Sequence, residues 1–448
     1  MSNLRAMKAA GWNALRHLLA LVVATGLVGC ATYRPLPLVT HATLAHRVEH
    51  LQGGKGTALP LDEVAVQRLV LLNNPRLAAT RARHGVGRAQ VLDASTLPNP
   101  SVQANLGFLV AGAGDVPAWG ASFAQSLQGL IVRGARRDEA RASASATDAQ
   151  LLWESWVTLA RARQLVVDVV DGERRLTLRD RLADLIEARA ASLRAAVARG
   201  DADTGTSSVV FAAAVDARTA ASDARQVVQA QRAELSALLG LDAGAPLPLA
   251  PLPALGPFDL TQATAAVASM GEHRPDLAAL RFAYAAQEAR LRGAILSQFP
   301  PLSVGVDAAR DSSKVLDIGP SASLELPVFD RQQGKIAVAE ATRQQLHDEY
   351  TARIDETVVE AHALIAAVVA AERAAARTTT DTVAMDAASR AFARGDIDAA
   401  IYADLNVAAL GQDVDRITRD LYRREQRIAL DALTGAGLPS SLPPGIAP

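Results

Sequence analysis

The chain has 448 residues with 46 basic and 47 acidic side chains, so it has no cationic surplus to neutralise phosphates, and nucleic acid is excluded as a partner. Half of the residues are hydrophobic but only 4% are aromatic. Alanine supplies much of the apolar count, which suits long, closely packed helices better than a bulky globular core. The single cysteine, Cys30, rules out a disulfide within one chain.

The first residues read as an address. Arg5, Lys8 and Arg16 form a basic start, and Leu18 to Val28 is an apolar stretch too short to cross a bilayer as a helix. It ends at Gly29-Cys30, which resembles a bacterial lipoprotein signal: residues 1–29 are removed and Cys30 becomes a lipid-bearing N-terminus. Ala31 stands where an aspartate would resemble an inner-membrane retention signal, which favours the outer membrane. An N-terminal lipid-anchored segment, 30–58, follows. One lipidated terminus needs a second signal or embedded structure to anchor stably.

A first structural repeat is expected over 59–244, with a helix starting near Leu61-Asp62-Glu63 and running to Pro98. Strands are expected at about 100–110 and 117–129, then a helix from Gly134 to Gly200. Sixty or more helical residues reach roughly 90–100 Å, a length built to span a distance. A hairpin tip at 199–204 turns the chain back, and the proline- and leucine-rich residues 245–258 read as a linker. The second repeat, 259–436, has a helix from near Pro275 to Pro300 and strands at about 301–310 and 315–327. Its long helix runs from Gly334 to Gly395, with a tip at 394–399 and a flexible tail at 437–448.

The two halves share landmarks in one order. Asn74-Pro75-Arg76-Leu77-Ala78-Ala79 is answered 200 residues later by Arg274-Pro275-Asp276-Leu277-Ala278-Ala279, and Pro98-Asn99-Pro100-Ser101-Val102 by Pro300-Pro301-Leu302-Ser303-Val304. Gly120 answers Gly319, and Gly134 answers Gly334. The long helices end alike, at Ala198-Arg199-Gly200-Asp201 and Ala393-Arg394-Gly395-Asp396. Such order is the mark of an internal duplication.

The strand segments alternate with period two. Val102, Ala104, Leu106 and Phe108 oppose Ser101, Gln103, Asn105 and Gly107, while Leu316, Ile318, Ala322 and Leu324 oppose Asp317, Gly319, Ser321 and Ser323. A half-buried sheet in a soluble domain gives the same alternation. Small polar and acidic residues on one face, segments of about ten residues and an export signal together match apolar-out, polar-in membrane strands. Four strands cannot close a barrel, because the smallest bacterial ones need about eight, so several chains must share one. Along the helices, Ile354, Val358, Ala361, Ile365 and Val368 form a heptad seam, and Leu152, Trp156, Leu159, Val166 and Val170 a similar stripe. The opposite faces carry charges such as Arg161, Arg163, Asp168 and Arg175.

The duplicated order of helix, strand pair, long helix, glycine turn and return helix resembles the outer-membrane factor family typified by TolC. So do the Asn74-Pro75 start, the Leu97-Pro98-Asn99-Pro100-Ser101-Val102 entry and Pro327-Val328-Phe329-Asp330 with Gly334 following. The signal resembles that of the family's lipoprotein branch in tripartite efflux systems. The resemblance covers residues 60–436 and implies a mainly α fold with a small membrane β-barrel portion. Four strands per chain would contribute to a 12-stranded barrel in a homotrimer, continued by an α-helical barrel into the periplasm. It further implies docking of a periplasmic adaptor, and through it an inner-membrane transporter, at the hairpin tips Arg199, Gly200, Asp201, Arg394, Gly395 and Asp396. Asp404 would be the gate aspartate, in a ring whose partner arginines tie protomers together. Read without the resemblance, Asp404 is a surface residue on a helix, and Asp201, Asp203, Asp396 and Asp398 are helix caps.

Catalytic signatures are missing: no His-Glu-x-x-His, Cys-x-x-Cys or phosphate loop occurs, and Gly85-Val86-Gly87 lacks both a third glycine and a preceding strand. His46 and His50 could share a helix face, but two histidines without a third ligand do not make a metal site, so no metal or cofactor beyond the covalent lipid on Cys30 is expected. The expected function is a passive outer-membrane efflux duct for small molecules or metal ions, not an enzyme. Its alternatives are a lipid-anchored periplasmic scaffold without a pore and the outer-membrane duct of a type I protein secretion system.

Overall fold

The computed structural model describes residues 32–377 and 382–436; Cys30, the signal at 1–29 and the tail at 437–448 lie outside the described residues. The chain divides into two units, Met1–Leu44 and Ala45–Pro448. Described residues of the first form no helix or strand, and Tyr33, Leu36, Leu38 and Val39 are exposed.

The second unit runs through one order of elements twice. The first pass is α1 (Glu63–Asn73), α2 (Pro75–Ser95), β1 (Ser101–Gly107), β2 (Ala118–Ser126), α3 (Gln128–Arg199) and α4 (Thr204–Leu239). The second is α5 (Leu260–His273), α6 (Pro275–Leu296), β3 (Leu302–Arg310), β4 (Leu316–Leu324), α7 (Gln333–Ala376), α8 (Thr382–Arg394) and α9 (Ala399–Thr434). With 72 residues, α3 measures roughly 108 Å along its axis.

Four boundaries differ from those read in the sequence, one of them in the second long helix, expected from Gly334 to Gly395, where α7 ends at Ala376 and α8 begins at Thr382. The helix expected from Leu61 to Pro98 is two helices, because Pro75 brings no N–H and starts a new helix at its first position. In the second pass a whole helix, α5, precedes Pro275, where the helix had been expected to start. The long helix begins at Gln128 rather than Gly134, since Leu127 is already in the α region, so Gly134 lies inside it.

The residue before each of these prolines ties the new helix to the end of a return helix. Asn74 accepts from the Leu77 N–H at 2.9 Å and donates to the Leu238 carbonyl at 3.0 Å. At the matching place Arg274, fully buried, donates to the Leu433 carbonyl at 2.8 Å. It also grips the carboxylate of Asp276 through two nitrogens at 2.9 and 2.6 Å and lies 4.8 Å from the Trp153 ring. Burial alone would push the Asp276 carboxyl up, but Arg274 and Arg353 outweigh it and hold it below the ordinary range.

The apolar core gathers midway along α3, where the return helix α4 ends. Val66, Leu69 and Val70 of α1 pack with Leu165 and Val166 of α3 and Leu235 and Leu239 of α4. In the second pass Val267 and Met270 of α5 pack on Ala361, Val358 and Ile365, so the heptad seam faces this short helix. The segment 245–258 is no free tether: the Leu61 N–H donates to the Pro248 carbonyl at 2.9 Å, and the Ala250 N–H to the Leu61 carbonyl at 2.8 Å.

The four strands form one antiparallel sheet in the order β1-β2-β3-β4, in which β2 and β3 join the two passes. Register places Val102, Phe123, Val306 and Pro320 in one cross-strand row and Ala104, Ala121, Ala308 and Ile318 in the next. The rows between them, on the other face, are Gln103, Ser122, Asp307, Gly319 and Asn105, Gly120, Ala309, Asp317. The outer edges of β1 and β4 pair with nothing among the described residues.

Candidate functional site

The sheet exposes its apolar face. Val102 is 74% and Ile318 69% exposed, and Leu106, Phe123, Val306 and Leu324 are all exposed too. The opposite face is small and polar, and its only charged strand positions are Asp307 and Asp317.

At the far ends of the long helices the two turns have one geometry. Gly200 and Gly395 have φ of +81° and +80°, left-handed values that favour glycine because a Cβ would crowd the following carbonyl. The Asp201 N–H bonds the Ala196 carbonyl and the Asp396 N–H the Ala391 carbonyl, both at 2.9 Å, so each helix ends in a Schellman-type closure. Arg199 Nε donates to Asp201 Oδ2 and Arg394 Nε to Asp396 Oδ2, each at 2.8 Å. Capping falls to Asp203 and Asp398, which accept from the Thr206 and Ile401 N–H groups at 2.8 Å. The caps expected of Asp201 and Asp396 are therefore arginine pairs instead, because a residue two places before the capping position cannot reach the free N–H groups of the helix.

Asp404 lies on α9, half exposed, paired with Arg189 of α3 in the same chain. Arg189 sits 11 residues before Gly200 and Asp404 nine after Gly395, a similar distance from each turn, which is the signal that could have linked them in advance. His46 precedes the short 3-10 turn Val48–His50, so His46 and His50 share no α-helix face.

Helix α9 runs along α3 as an antiparallel seam. Trp156 Nε1 donates to the Ala432 carbonyl at 2.8 Å, Arg163 pairs with Asp431 at 3.5 Å, and Asp171 lies 3.8 Å from Arg424. Between the last two, Asp168 of α3 meets Glu425 of α9. Asp168, grouped with solvated charges in the sequence, is buried because it faces α9.

Among the described residues, no helix is long and apolar enough to cross a membrane and no cluster of three or more His, Cys, Asp or Glu side chains is placed to hold a metal. No protein-family model matches the chain, and no curated protein does. Solved structures do match. A membrane protein from Pseudomonas aeruginosa is similar at 19% identity and a TM-score of 0.67, over 90% of this chain and 99% of that one. The Campylobacter jejuni CmeC outer membrane channel is similar at 12% identity and 0.65, over 92% and 96%. The Vibrio cholerae outer membrane protein VceC is similar at 16% identity and 0.62, over 83% and 96%. The fold of this chain is that of the outer-membrane channels.

Proposed function

We propose that the chain is an outer-membrane factor, three copies of which close one 12-stranded barrel and form a passive exit duct for small molecules or metal ions. The observation that carries this reading is the open sheet, with four antiparallel strands, two free edges and an exposed apolar face. Such a face is stable in lipid and a liability in water. Nine-residue strands tilted by about 40° climb roughly 23 Å, close to the ~25 Å apolar band of membrane barrels. With an even number of strands per chain, β4 of one copy meets β1 of the next antiparallel, as a closed barrel requires.

In this reading the polar face lines the lumen, and the helices carry the duct into the periplasm. The matched tips at Arg199-Gly200-Asp201 and Arg394-Gly395-Asp396 receive an adaptor, through which an inner-membrane pump drives transport. Asp404 with Arg189 belongs to the narrow end, and a lipid on Cys30 adds to the hold of the barrel. The relatives of this fold are described as channels, which supports a conduit rather than a catalyst.

The test is the protein mass of the detergent-extracted particle, followed by conductance in planar bilayers. Three copies and a conducting pore are expected. A monodisperse, folded single chain would overturn the proposal and leave a lipid-anchored scaffold in its place.

A further inference from the structure

Along the α3–α9 seam, three pairs of opposite charge contrast with one pair of like charge. Arg163 meets Asp431, Asp171 meets Arg424 and Arg189 meets Asp404, yet at the level of Asp168 and Glu425 two carboxyls face each other. Asp168 is only 5% exposed and Glu425 is half-buried, so water screens the two charges poorly. Two carboxylates in contact in such a place are not both ionised without cost, whereas one carboxyl and one carboxylate make a short, charge-assisted hydrogen bond.

The neighbours do not remove the conflict. On α3, Gln164 donates to Asp168 at 3.1 Å, which favours the ionised form of Asp168. The charge of Arg161 acts on Asp168, but its Nε and Nη2 donate to Glu234, both at 2.7 Å. Arg175 acts on both carboxyls, yet its buried Nε makes no hydrogen bond. On α9, Arg424 is drawn to Asp171 and to the Pro253 carbonyl of the linking segment, and Arg427 to Glu372 of α7. Apolar groups close the rest: Val167, Leu421 and Ile428 pack beside the pair with Leu252.

We propose that Asp168 and Glu425 share one proton across the seam, forming a latch that binds the return helix α9 to α3 in acid and loosens it toward neutral pH. Desolvation by burial, then the charge of Asp168 and its hydrogen bond, raise the Glu425 carboxyl to about 6, and burial raises Asp168 as well. The folded chain therefore holds a proton that the unfolded chain has released, and stability falls as pH rises through about 6. The latch lies within one chain and does not depend on the channel reading.

The test is hydrogen exchange of the α9 amides around Glu425 in the detergent-extracted full chain, corrected for the intrinsic pH dependence of exchange. In the wild type the local opening constant should rise about tenfold between pH 5 and pH 7.5, the change implied by a carboxyl moved to about 6. E425Q, whose amide can still donate to Asp168, should make the opening constant nearly independent of pH, whereas D168N, which removes the opposing charge but leaves Glu425 buried, should keep only part of the wild-type rise. A flat wild-type profile, or variants that run parallel to it, would overturn the latch. So would loss of the slope in E425Q with an undiminished slope in D168N, since Glu425 would then titrate through burial alone.

Discussion

The two hairpins share a topology but are tied together differently. The first, α3 with α4, carries a ladder of ion pairs along its length. Arg161 pairs with Glu234 at 2.7 Å, Glu173 with Arg232 at 2.5 Å, Asp180 with Arg225 at 2.9 Å, and Arg218 with both Asp184 and Glu187. Near the tip, Arg194 lies 5.1 Å from the Phe211 ring. In the second hairpin, Glu372 of α7 holds Arg423 and Arg427 of α9 at 2.5 Å near the base. Nearer the tip, the ring of Phe392 stacks on that of Tyr402 with 4.5 Å between centroids. Further polar partners of α9 lie on α3: Arg163 meets Asp431, Asp171 meets Arg424 and Arg189 meets Asp404. Connectivity and mechanical partnership are separate properties: the return helix of one hairpin is held by the outgoing helix of the other.

The comparison can be broken most severely at the two proline junctions. Arg274→Ala leaves the buried Asp276 carboxylate with Arg353 alone and frees the Leu433 carbonyl, so a loss of about 3–5 kcal/mol is expected. Asn74→Ala at the matching joint removes a neutral cap and one carbonyl bond and should cost about 1–2 kcal/mol. Denaturant unfolding of both variants measures the gap, and equal losses would show that the joints are mechanically alike. Next comes Leu165→Ala in the fully buried base of the first hairpin, with an expected loss of about 2–5 kcal/mol.

Smaller effects sharpen the contrast at the tips and along the ladder. Gly200→Ala and Gly395→Ala each force a side chain to positive φ and should cost about 1–2 kcal/mol, equally in both copies. Each ladder pair is exposed, so Arg225→Ala or Arg232→Ala should cost at most about 1 kcal/mol, and less in high salt. Asp404→Ala should leave the melting temperature nearly unchanged while lowering cation preference in bilayer recordings; unchanged selectivity in a conducting channel would remove Asp404 from the gate. Acid separates the base of the second hairpin from the seam. Burial pushes Glu372 up but Arg423 and Arg427 hold it below its usual range, so its contribution is present above that range and lost as pH falls through the folded value. Glu425 has the opposite sign.

Much of this architecture was legible in the residues. Alternation in 302–308 and 316–324 shows strands because a sheet repeats every two residues, and the paired Ala-Arg-Gly-Asp sequences show turns because few residues but glycine accept positive φ. The break at Asn74 was also written in Pro75, but the helical pattern on either side concealed it. The α3–α9 seam could not be read locally. Its partners are some 215 to 276 residues apart, and Asp168 looks like any solvated charge until α9 covers it. Arg274 is similar: an arginine before a proline suggests an exposed turn, and only the folded chain brings Trp153, Asp276 and the Leu433 carbonyl around it.

The free edges of β1 and β4 carry a further consequence. Unpaired strand edges are templates for any other extended chain, and here they flank an exposed apolar face. A solitary copy is therefore sticky in two directions at once, along its edges and across its surface. The contacts that would seal a ring are the same ones that would seed a fibre, and the outcome depends on which surface a newly exported copy meets first. Delivery to a lipid surface before encounter with other free copies thus protects the folded chain from its own edges.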